Sequence, residues 1–533
     1  MMKRRDLLRA GAALPGLAAA GSTRQADAKK NRKGKDKDKK KKDTSKRGVA
    51  GMNVVLFITD QQRAIMHFPK NWAAQNLPGA ERLRRNGLTF TQATCNSCMC
   101  SPSRATLMTG FFPAQHGVKY TLEENMPSPQ YPQAALPLNL PNIATVMSAA
   151  GYTVPFKGKW HMSKPIGADW APQDVNQYGF QRWDPPDAGA NQDLDQFGGG
   201  AANNDGRYMN DAGAVEAGGE GVFAYLGSVA AQQQPFFLTV SLVNPHDVLS
   251  YPRTYVEGGY SPGNLGGNIG LPKTVNEDLL ASGKPTAQVA LLALLAAGIG
   301  PLTDDQMKRD YLNFYGNLIK ESDAYLVRIL DTLEAQGLMD NTLIIATSDH
   351  GEMGTAHGGL RQKSFNFYEE TLRVPLVFSN RRLFSKARTS DALVSHVDFL
   401  PTIATLFGAP DSARSSWQGL DYSRIVRDPD AKGVQGYTVF TYDDFQAGQP
   451  SGPYVPPPNH ITSIREQRYK LAKYYDVNGS VADQWEMYDL EKDPMETKNI
   501  AASGYKTNKE QKKALRKMQG KLAGVEATRL QPF

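Results

Sequence analysis

Acidic, basic and imidazole side chains directly follow several strand-like runs of the sequence. Parallel strands of an α/β sheet present their carboxyl ends at one edge, where ligands bind, so we expect these side chains to meet in space. Carboxylates and imidazoles bind divalent cations, and a lysine attracts an anion. The pattern therefore predicts a metal-assisted anion site. The residues are Asp60 after VVLFIT, Lys159 and His161 after TVPFKG, His246 after FFLTVSLVNP, and Asp349 and His350 after TLIIATS.

A second chemical feature is the run Cys100-Ser-Pro-Ser-Arg104, which continues as Ala-Thr-Leu-Met-Thr-Gly110. The chain has three cysteines, Cys95, Cys98 and Cys100, and they lie close together. A disulfide framework needs dispersed cysteines, so none is expected. The spacing leaves a zinc site open as an alternative, although the three thiols lack the fourth ligand of a structural zinc site.

The elements that must hold these residues alternate between strand-like and helical patterns. The strand-like runs are nearly continuous in β-branched and aromatic residues, as in strands covered on both faces. The clearest helical pattern begins near Thr303 or Asp304 and runs to Leu333, with Gly337 as a stop signal. Such alternation predicts an α/β fold. The predicted strands are Val54–Thr59, Thr153–Phe156, Phe236–Leu242, Leu343–Thr347 and Val374–Phe378.

The pattern changes after about residue 430, where a proline-rich loop leads into short strand-like runs and a basic helix. We therefore predict a catalytic domain over 51–430 and a small α+β domain over 431–533. The apolar stretch Ala287–Leu302 is shorter than a membrane span and contains glycines, so we interpret it as a buried or packing helix. The C-terminal elements predicted are the strands Ile461–Arg465, Tyr469–Tyr475 and Glu486–Leu490 and the helix Lys509–Leu522.

The positive charge of the chain is concentrated at its N-terminus. Residues 1–47 carry 17 Lys and Arg against five Asp, a net charge of +12, so the net +8 of the whole chain leaves −4 for the rest. A nucleic-acid-binding face on the folded part is therefore not expected. Arg4-Arg5 and a short apolar stretch predict a twin-arginine signal peptide over 1–28, and hence export. Residues 29–50 predict a disordered lysine-rich linker, which could attach weakly to an anionic surface.

The run from Cys100 to Gly110 resembles the signature of the sulfatase family throughout. Further family landmarks recur in order between about residues 52 and 500, among them GKWHM, NPHD, NTLIIATSDHGE and EMYDLEKDPMETKN. The resemblance implies an alkaline-phosphatase-like fold, in which helices sandwich a large mixed, mostly parallel sheet, with a smaller C-terminal antiparallel sheet plus helix. It also implies hydrolysis of sulfate monoesters. In this family a maturation enzyme oxidises the cysteine to formylglycine, whose hydrated diol attacks sulfur with one hydroxyl and expels sulfate through the other.

The resemblance also implies one divalent metal ion, which lowers the pKa of the diol and neutralises the sulfate oxygens. Asp349 is expected to accept the proton of the attacking hydroxyl as well. The expected metal ligands are Asp60, Asp349, His350 and the diol oxygen of modified Cys100.

Five further residues match positions that the family uses in catalysis. Arg104 and Lys159 are expected to hold the diol and the developing anion as fixed positive charges. His161 is expected to take the proton of the second hydroxyl. His246 and Lys363 are expected to contact the sulfate and to protonate or stabilise the leaving oxygen.

Gln61 departs from the family pattern, since many sulfatases have a second aspartate there. It is a possible metal ligand or substrate contact. We expect Ca²⁺ and keep Mn²⁺ or another transition ion open, because one carboxylate is replaced. The Asp-Gln and Asp-His pairs resemble those of choline sulfatases and phosphonate monoester hydrolases. Hydrolysis of phosphonate monoesters or phosphodiesters is therefore the alternative activity, and an inactive sulfatase-like binding protein is the second alternative.

The substrate is expected to be a small-molecule or saccharide sulfate ester, with its leaving group recognised by the loops Asp193–Gly221 and Pro450–His460. His357 lies in a family motif without an assignable role. Other motif residues are expected to serve packing, namely His116, His396, Tyr368, Glu369 and Arg373.

Overall fold

The structure is a computed structural model that describes residues 48–123, 133–191, 193–194, 198–210, 219–233, 235–446 and 455–533. The predicted signal peptide (1–28) and nearly all of the predicted linker (29–50) lie outside the described residues. Parts of the two loops expected to recognise the substrate also lie outside them.

The strands of the described residues are, in chain order, β1 (Asn53–Asp60), β2 (Gly87–Phe90), β3 (Ala93–Thr94), β4 (Phe156–Gly158), β5 (Phe237–Pro245), β6 (Thr342–Ser348), β7 (Leu376–Ser379), β8 (Arg388–Ser390), β9 (Val394–Ser395), β10 (Thr438–Tyr442), β11 (His460–Arg465), β12 (Tyr469–Tyr475) and β13 (Gln484–Asp489).

One sheet forms the centre of the molecule, with strand order β4-β5-β1-β6-β7-β2-β8. The strands β4, β5, β1 and β6 are parallel neighbours. At the other side of the sheet, β7 is antiparallel to β6 and β2, and β8 is parallel to β2. The predicted α/β fold with a mixed, mostly parallel sheet is therefore confirmed.

Alternate residues of β1 pack into cores on opposite faces of this sheet, as the two-residue period of a strand requires. Val54, Leu56 and Ile58 belong to one core, and Val55 and Phe57 belong to the other. Every residue of β1 is buried. This two-sided burial explains why the predicted strand reads as a continuous apolar run rather than an alternating one.

The predicted strand Thr153–Phe156 is displaced in the structure, where β4 covers Phe156–Gly158. Pro155 lacks the N–H group that a regular ladder uses. Thr153 and Pro155 instead make isolated bridges, to Phe236 and Gln181 respectively. Regular pairing begins only after the proline.

The α-helices of five residues or more in the described part are α1 (Trp72–Asn76), α2 (Pro78–Arg85), α3 (Cys100–Thr109), α4 (Ile143–Ala149), α5 (Asn204–Met209), α6 (Val222–Gly227), α7 (Val229–Gln233), α8 (Thr286–Gly298), α9 (Asp305–Ala335), α10 (Phe399–Leu406), α11 (Ser423–Arg427) and α12 (Lys509–Thr528).

Helix α9 begins where the sequence predicts, because the side chain of Asp304 accepts hydrogen bonds from the N–H groups of Gln306 and Met307. Gly337 follows its end with a φ of 67°, a conformation that favours glycine. Helix α8 occupies the apolar stretch near Ala287, and one of its faces is buried. No helix in the described ranges combines the length and apolarity that a membrane span needs.

A second sheet, with order β10-β11-β12-β13, is antiparallel throughout. Helix α12 packs on it, through a core that includes Met518 and Leu522. Buried ion pairs join this sheet to the helical turn Glu369–Leu372, which precedes β7. Arg465 Nη2 lies 2.8 Å from Glu369 Oε2, and Lys470 Nζ lies 3.2 Å from Glu369 Oε1. The predicted C-terminal antiparallel sheet plus helix is confirmed, and the domain boundary near residue 430 stays a prediction.

Candidate functional site

The carboxyl ends of the parallel strands meet at one edge of the sheet. Thr59 of β1 lies opposite Ser348 of β6, so the next residues, Asp60 and Asp349, are neighbours. The strand-end pattern of the sequence predicts this proximity of the two aspartates.

Strands β4 and β5 approach the same edge closely. Gly158 lies opposite Ser241, and a Cβ atom at Gly158 would lie 2.0 Å from the Ser241 carbonyl oxygen. Glycine is therefore required at this point. The close approach lets Lys159 N donate to Ser241 O at 2.9 Å, which brings Lys159 beside the end of β5, where His246 follows.

Four buried side chains place their ligand atoms within 4.8 Å of one another: Asp60, Cys100, Asp349 and His350. His350 Nε2 lies 3.2 Å from Cys100 Sγ, 3.8 Å from Asp60 Oδ1 and 3.7 Å from Asp349 Oδ1. Cys100 Sγ lies 3.4 Å from Asp60 Oδ1. The Oδ1 atoms of both carboxylates thus face a common point. Two carboxylates and one imidazole form a donor set that suits a divalent cation.

The other carboxylate oxygens bind fixed cations. Arg104 Nη2 lies 3.1 Å from Asp60 Oδ2, and Arg104 Nε lies 3.0 Å from Asp349 Oδ2. Lys159 Nζ lies 2.7 Å from Asp60 Oδ2. Arg104 Nη1 also donates to the Lys159 carbonyl and to Ser241 Oγ. One buried guanidinium therefore orients both carboxylates and leaves their Oδ1 atoms available to a metal ion.

The two carboxyl groups differ in their pKa values. Burial alone raises the pKa of Asp60, but Lys159 and the neighbouring histidines and Arg104 bring it well below its usual value. Burial, with the charge of Asp60, raises the pKa of Asp349 to about 7. A divalent cation at the common point would oppose this repulsion and favour ionisation of both groups. The residues present therefore fit a metal site.

The His350 ring is neutral, because burial lowers its pKa well below the usual value. Its Nδ1 lies 3.1 Å from the Gly351 carbonyl oxygen. A neutral ring that donates from Nδ1 directs the lone pair of Nε2 at the four-residue cluster. This is the tautomer that a metal ligand needs.

Cys100 is the first residue of α3 and is buried. Burial, with the charge of Asp60, raises the pKa of its thiol to about 12. The thiol is therefore protonated near neutral pH and is a poor nucleophile in its encoded form. It nevertheless lines a cavity of about 450 Å³, together with His161, His246 and Lys363.

Gln61 lies beside the cluster with a φ of 70°. Its Nε2 donates to Glu352 Oε2 at 2.5 Å, and its Oε1 accepts from Lys363 Nζ at 2.6 Å. The amide thus links a buried carboxylate to the ammonium that lines the cavity. Sequence reasoning missed Glu352, although it stands in the NTLIIATSDHGE motif.

His161 and His246 offer ring nitrogens to the cavity. Their Nδ1 atoms are buried and make no hydrogen bond to any described residue. Burial, with the nearby charge of Lys159, lowers the pKa of both rings well below the usual value, so both are neutral. Neutral rings with a free nitrogen can accept or donate a proton to a bound substrate.

The backbone at His161 is held by a carboxylate that the sequence analysis did not single out. His161 has a φ of 54°, in the left-handed region. Asp187 accepts hydrogen bonds from Trp160 N at 2.7 Å and His161 N at 2.6 Å. No motif or periodicity marks Asp187, so only the structure reveals this contact.

The remaining motif histidines make structural contacts. His357 Nδ1 lies 2.7 Å from Glu277 Oε2, and its ring stacks on Tyr368. His116 contacts Thr106, and His396 lies near Ser103. Both of those partners lie on α3.

Cys95 and Cys98 are free and buried. Their thiols donate to the carbonyl oxygens of Thr371 and Lys363 respectively. The four-residue cluster contains neither of them. The structure therefore lends no support to a zinc site built from the three cysteines.

Comparison with known proteins gives two family matches. The sulfatase family model matches residues 52–409. A model of the C-terminal part of N-sulphoglucosamine sulphohydrolase matches residues 357–527. Among curated relatives, an ulvan-active sulfatase of Formosa agariphila is 24% identical over 82% of this chain and 76% of its own. A choline-sulfatase of Rhizobium meliloti is 24% identical over 84% of this chain and 82% of its own.

Solved structures share the fold. One, determined in complex with its substrate D-glucosamine-2-N,6-O-disulfate, has a TM-score of 0.64 at 20% identity, covering 90% of this chain and 98% of that one. A phosphonate monoester hydrolase of Agrobacterium radiobacter has a TM-score of 0.64 at 21% identity, covering 90% and 96%. At such low identity, these likenesses concern the fold alone.

Proposed function

The chain belongs to the sulfatase family and is a sulfuric ester hydrolase, and we propose that it cleaves sulfate monoesters with a nucleophile made from Cys100. The observation that carries this proposal is the four-residue cluster of Asp60, Cys100, Asp349 and His350 beside a cavity. The support for conversion of Cys100 to formylglycine is the run from Cys100 to Gly110, which resembles the signature of the family throughout. A maturation enzyme is the partner that this conversion requires.

The first chemical step uses residues that surround Cys100. Asp349 accepts the proton of one diol hydroxyl, and that oxygen attacks sulfur while the bond from sulfur to the leaving oxygen breaks. Lys363, which is buried and lines the cavity, supplies a proton to the leaving oxygen. His246 donates a hydrogen bond there through its neutral ring. Arg104 holds the carboxylate of Asp349 in place through its Nε.

The second step regenerates the aldehyde. His161 takes the proton of the second hydroxyl through its free Nδ1, the carbon–oxygen bond to sulfate breaks, and sulfate leaves. One water molecule then hydrates the aldehyde again. A divalent cation held by Asp60, Asp349 and His350 would supply positive charge that lowers the pKa of the diol and neutralises sulfate oxygens. We propose Ca²⁺, because the hard carboxylate oxygens face the common point, with Mn²⁺ as the alternative.

Kinetics and mass spectrometry test this function together. Protein co-expressed with a maturation enzyme should carry an aldehyde at Cys100 and should hydrolyse aryl sulfates. Cys100→Ala should abolish hydrolysis, whereas Cys95→Ala, which changes a buried thiol outside the cluster, should retain it. A higher kcat/KM for an aryl phosphonate ester than for the matched aryl sulfate would favour the alternative activity. An unmodified thiol after co-expression would favour an inactive binding protein.

We also propose export by the twin-arginine route, with residues 1–28 as the signal and 29–50 as a basic tether. The support is the Arg4-Arg5 pair and the net charge of +12 in residues 1–47. Fractionation of cells that express the full chain should find the enzyme outside the cytoplasm. Arg4→Lys combined with Arg5→Lys should retain it inside, and unchanged export of that variant would refute the route.

A further inference from the structure

Helix α8 contributes one wall of the cavity. Leu291, Leu294, Leu295 and Gly298 line the cavity from this helix. Their spacing of i, i+3, i+4 and i+7 places them along one helical face. The helix is therefore more than the packing element that its apolar sequence predicts, because one face forms a wall of the substrate cavity.

The position of this wall is fixed by contacts at the start of the helix. Gln288 Nε2 donates to Tyr474 OH and to Glu486 Oε1, both at 2.9 Å. Gln288 Oε1 accepts from Tyr368 OH at 2.6 Å. The side chain thus ties α8 to the second sheet. Leu291 and Leu295 of the leucine face also belong to a buried core.

The described residues of the cavity add little charge that could bind an anionic leaving group. Beyond the reaction centre, the charged residues among those described at the cavity are Glu123, Arg253 and Glu257. Arg253 Nη1 donates to the Gly298 carbonyl at 2.9 Å. Burial raises the pKa of Glu123 to about 8, so this carboxyl group is neutral near pH 7. Arg253 and Glu257 then balance each other, and these residues offer no net positive charge to a leaving group that carries further sulfate or carboxylate groups.

Among the described residues that line the cavity, a quaternary ammonium group lacks its usual partners. Binding of such a cation typically relies on aromatic rings. The described residues that line the cavity include no Phe, Tyr or Trp. Among these described residues, the leucine face of α8 offers contact to an apolar group.

We propose that this enzyme prefers sulfate monoesters whose leaving alcohol is apolar and uncharged, namely aryl or alkyl sulfates, and that the leucine face of α8 selects them. The inference rests on the proposed function. Leu291 is 1% exposed and Leu295 is 8% exposed, and both belong to a hydrophobic core. Leu294 packs against that core but is only partly buried, so part of its side chain remains exposed. Leu294 is therefore the residue whose substitution tests the wall.

The test is a series of primary alkyl sulfates of increasing chain length, assayed with protein whose Cys100 aldehyde is verified. The leaving groups have nearly the same acidity, so differences in kcat/KM report contact with the wall. Burial of one methylene can increase kcat/KM by up to about fourfold. We expect kcat/KM to rise from butyl to octyl sulfate. Leu294→Asn should flatten the rise, whereas Ala293→Asn, an exposed change on the same helix, should leave it intact.

Three results would overturn the inference. The first is a flat chain-length series in the unsubstituted enzyme, and the second is a steep series that Leu294→Asn leaves unchanged. The third is a higher kcat/KM for D-glucosamine-2-N,6-O-disulfate than for every alkyl and aryl sulfate. In each of these cases the enzyme still hydrolyses sulfate esters, so the proposed function is retained and only the inference fails. If verified aldehyde-bearing protein hydrolyses no sulfate ester, the proposed function fails and the inference falls with it.

Discussion

Substitution of Asp187 by Asn tests whether the backbone at His161 is held for catalysis. The carboxylate accepts hydrogen bonds at 2.7 Å and 2.6 Å from two successive N–H groups, Trp160 N and His161 N. An asparagine keeps one acceptor oxygen, but its NH₂ group cannot accept the second bond. Asp187→Asn therefore leaves one buried backbone N–H group without an acceptor.

The magnitude follows from the lost bond and from the backbone conformation. An unsatisfied buried N–H group costs about 1–3 kcal/mol. The left-handed conformation of His161, with a φ of 54°, itself costs about 1–3 kcal/mol and persists only while its surroundings hold it. Without the second bond we expect the ring to leave its position at the cavity. If transition-state stabilisation falls by a free energy of this size, kcat decreases about 10- to 100-fold.

A matched control separates catalysis from stability. Asp323 is also buried, and it accepts bonds at 2.7 Å from both Gly79 N and Ala80 N, at the start of α2 and outside the cavity. Asp323→Asn should lower the free energy of unfolding by a similar amount and leave kcat within about twofold. Burial raises the pKa of Asp187 to about 6, so assays at pH 8 keep the carboxylate ionised.

The measurements are kcat and KM on an aryl sulfate and the free energy of unfolding in urea. The reasoning is refuted if Asp187→Asn retains the kcat of the unsubstituted enzyme. It is equally refuted if both substitutions lower kcat to the same degree, since the loss would then reflect general destabilisation.

Three further predictions concern the metal, the second sheet and pH. Chelation should abolish sulfate hydrolysis and lower Tm, and added Ca²⁺ should restore both; restoration by Mn²⁺ alone would contradict the proposed metal. Arg465→Met should lower the free energy of unfolding by about 3–5 kcal/mol, because it leaves Glu369 buried without its main partner. Arg381→Met, at an exposed ion pair, should lower it by less than about 1 kcal/mol. Equal losses of the two variants in urea unfolding would contradict this reasoning. Burial raises the pKa of Asp205 from its usual 3.8 to about 6. Because the folded state holds this proton more tightly than the unfolded state, the stabilisation is fully present below pH 3.8 and is lost as pH rises through 6. The stability of the enzyme relative to Asp205→Asn should therefore fall by up to about 3 kcal/mol between pH 4 and pH 7, and a constant difference would contradict the raised pKa.

Much of the fold follows from local patterns in the sequence. The run Val54–Ile58 is apolar at every position, which indicates a strand covered on both faces, and β1 is buried throughout. Asp304 and Gly337 bound the long helix because capping depends on side chains one or two residues from the helix end. The strand Thr153–Phe156 was displaced because Pro155 interrupts the ladder, an effect that the apolar pattern does not record.

The strand-end residues and the Cys100 motif were likewise recognisable before the structure, because each stands at a fixed distance from an element boundary. Their roles in catalysis stay predictions. The structure adds how they meet: Arg104 contacts both Asp60 and Asp349, which lie 44 and 245 residues away along the chain. No local spacing encodes such a contact.

What the sequence determined by itself was therefore the set of elements and the chemistry available at their ends. Only the tertiary structure decided which segments contact one another. Asp187 accepts a hydrogen bond from His161 N, Gln61 donates to Glu352, and the leucine face of α8 lines the cavity. The physical reason is that hydrophobic period and capping are properties of neighbouring residues. Hydrogen bonds and cavity walls depend instead on distances between segments, which are fixed only when the whole core has packed.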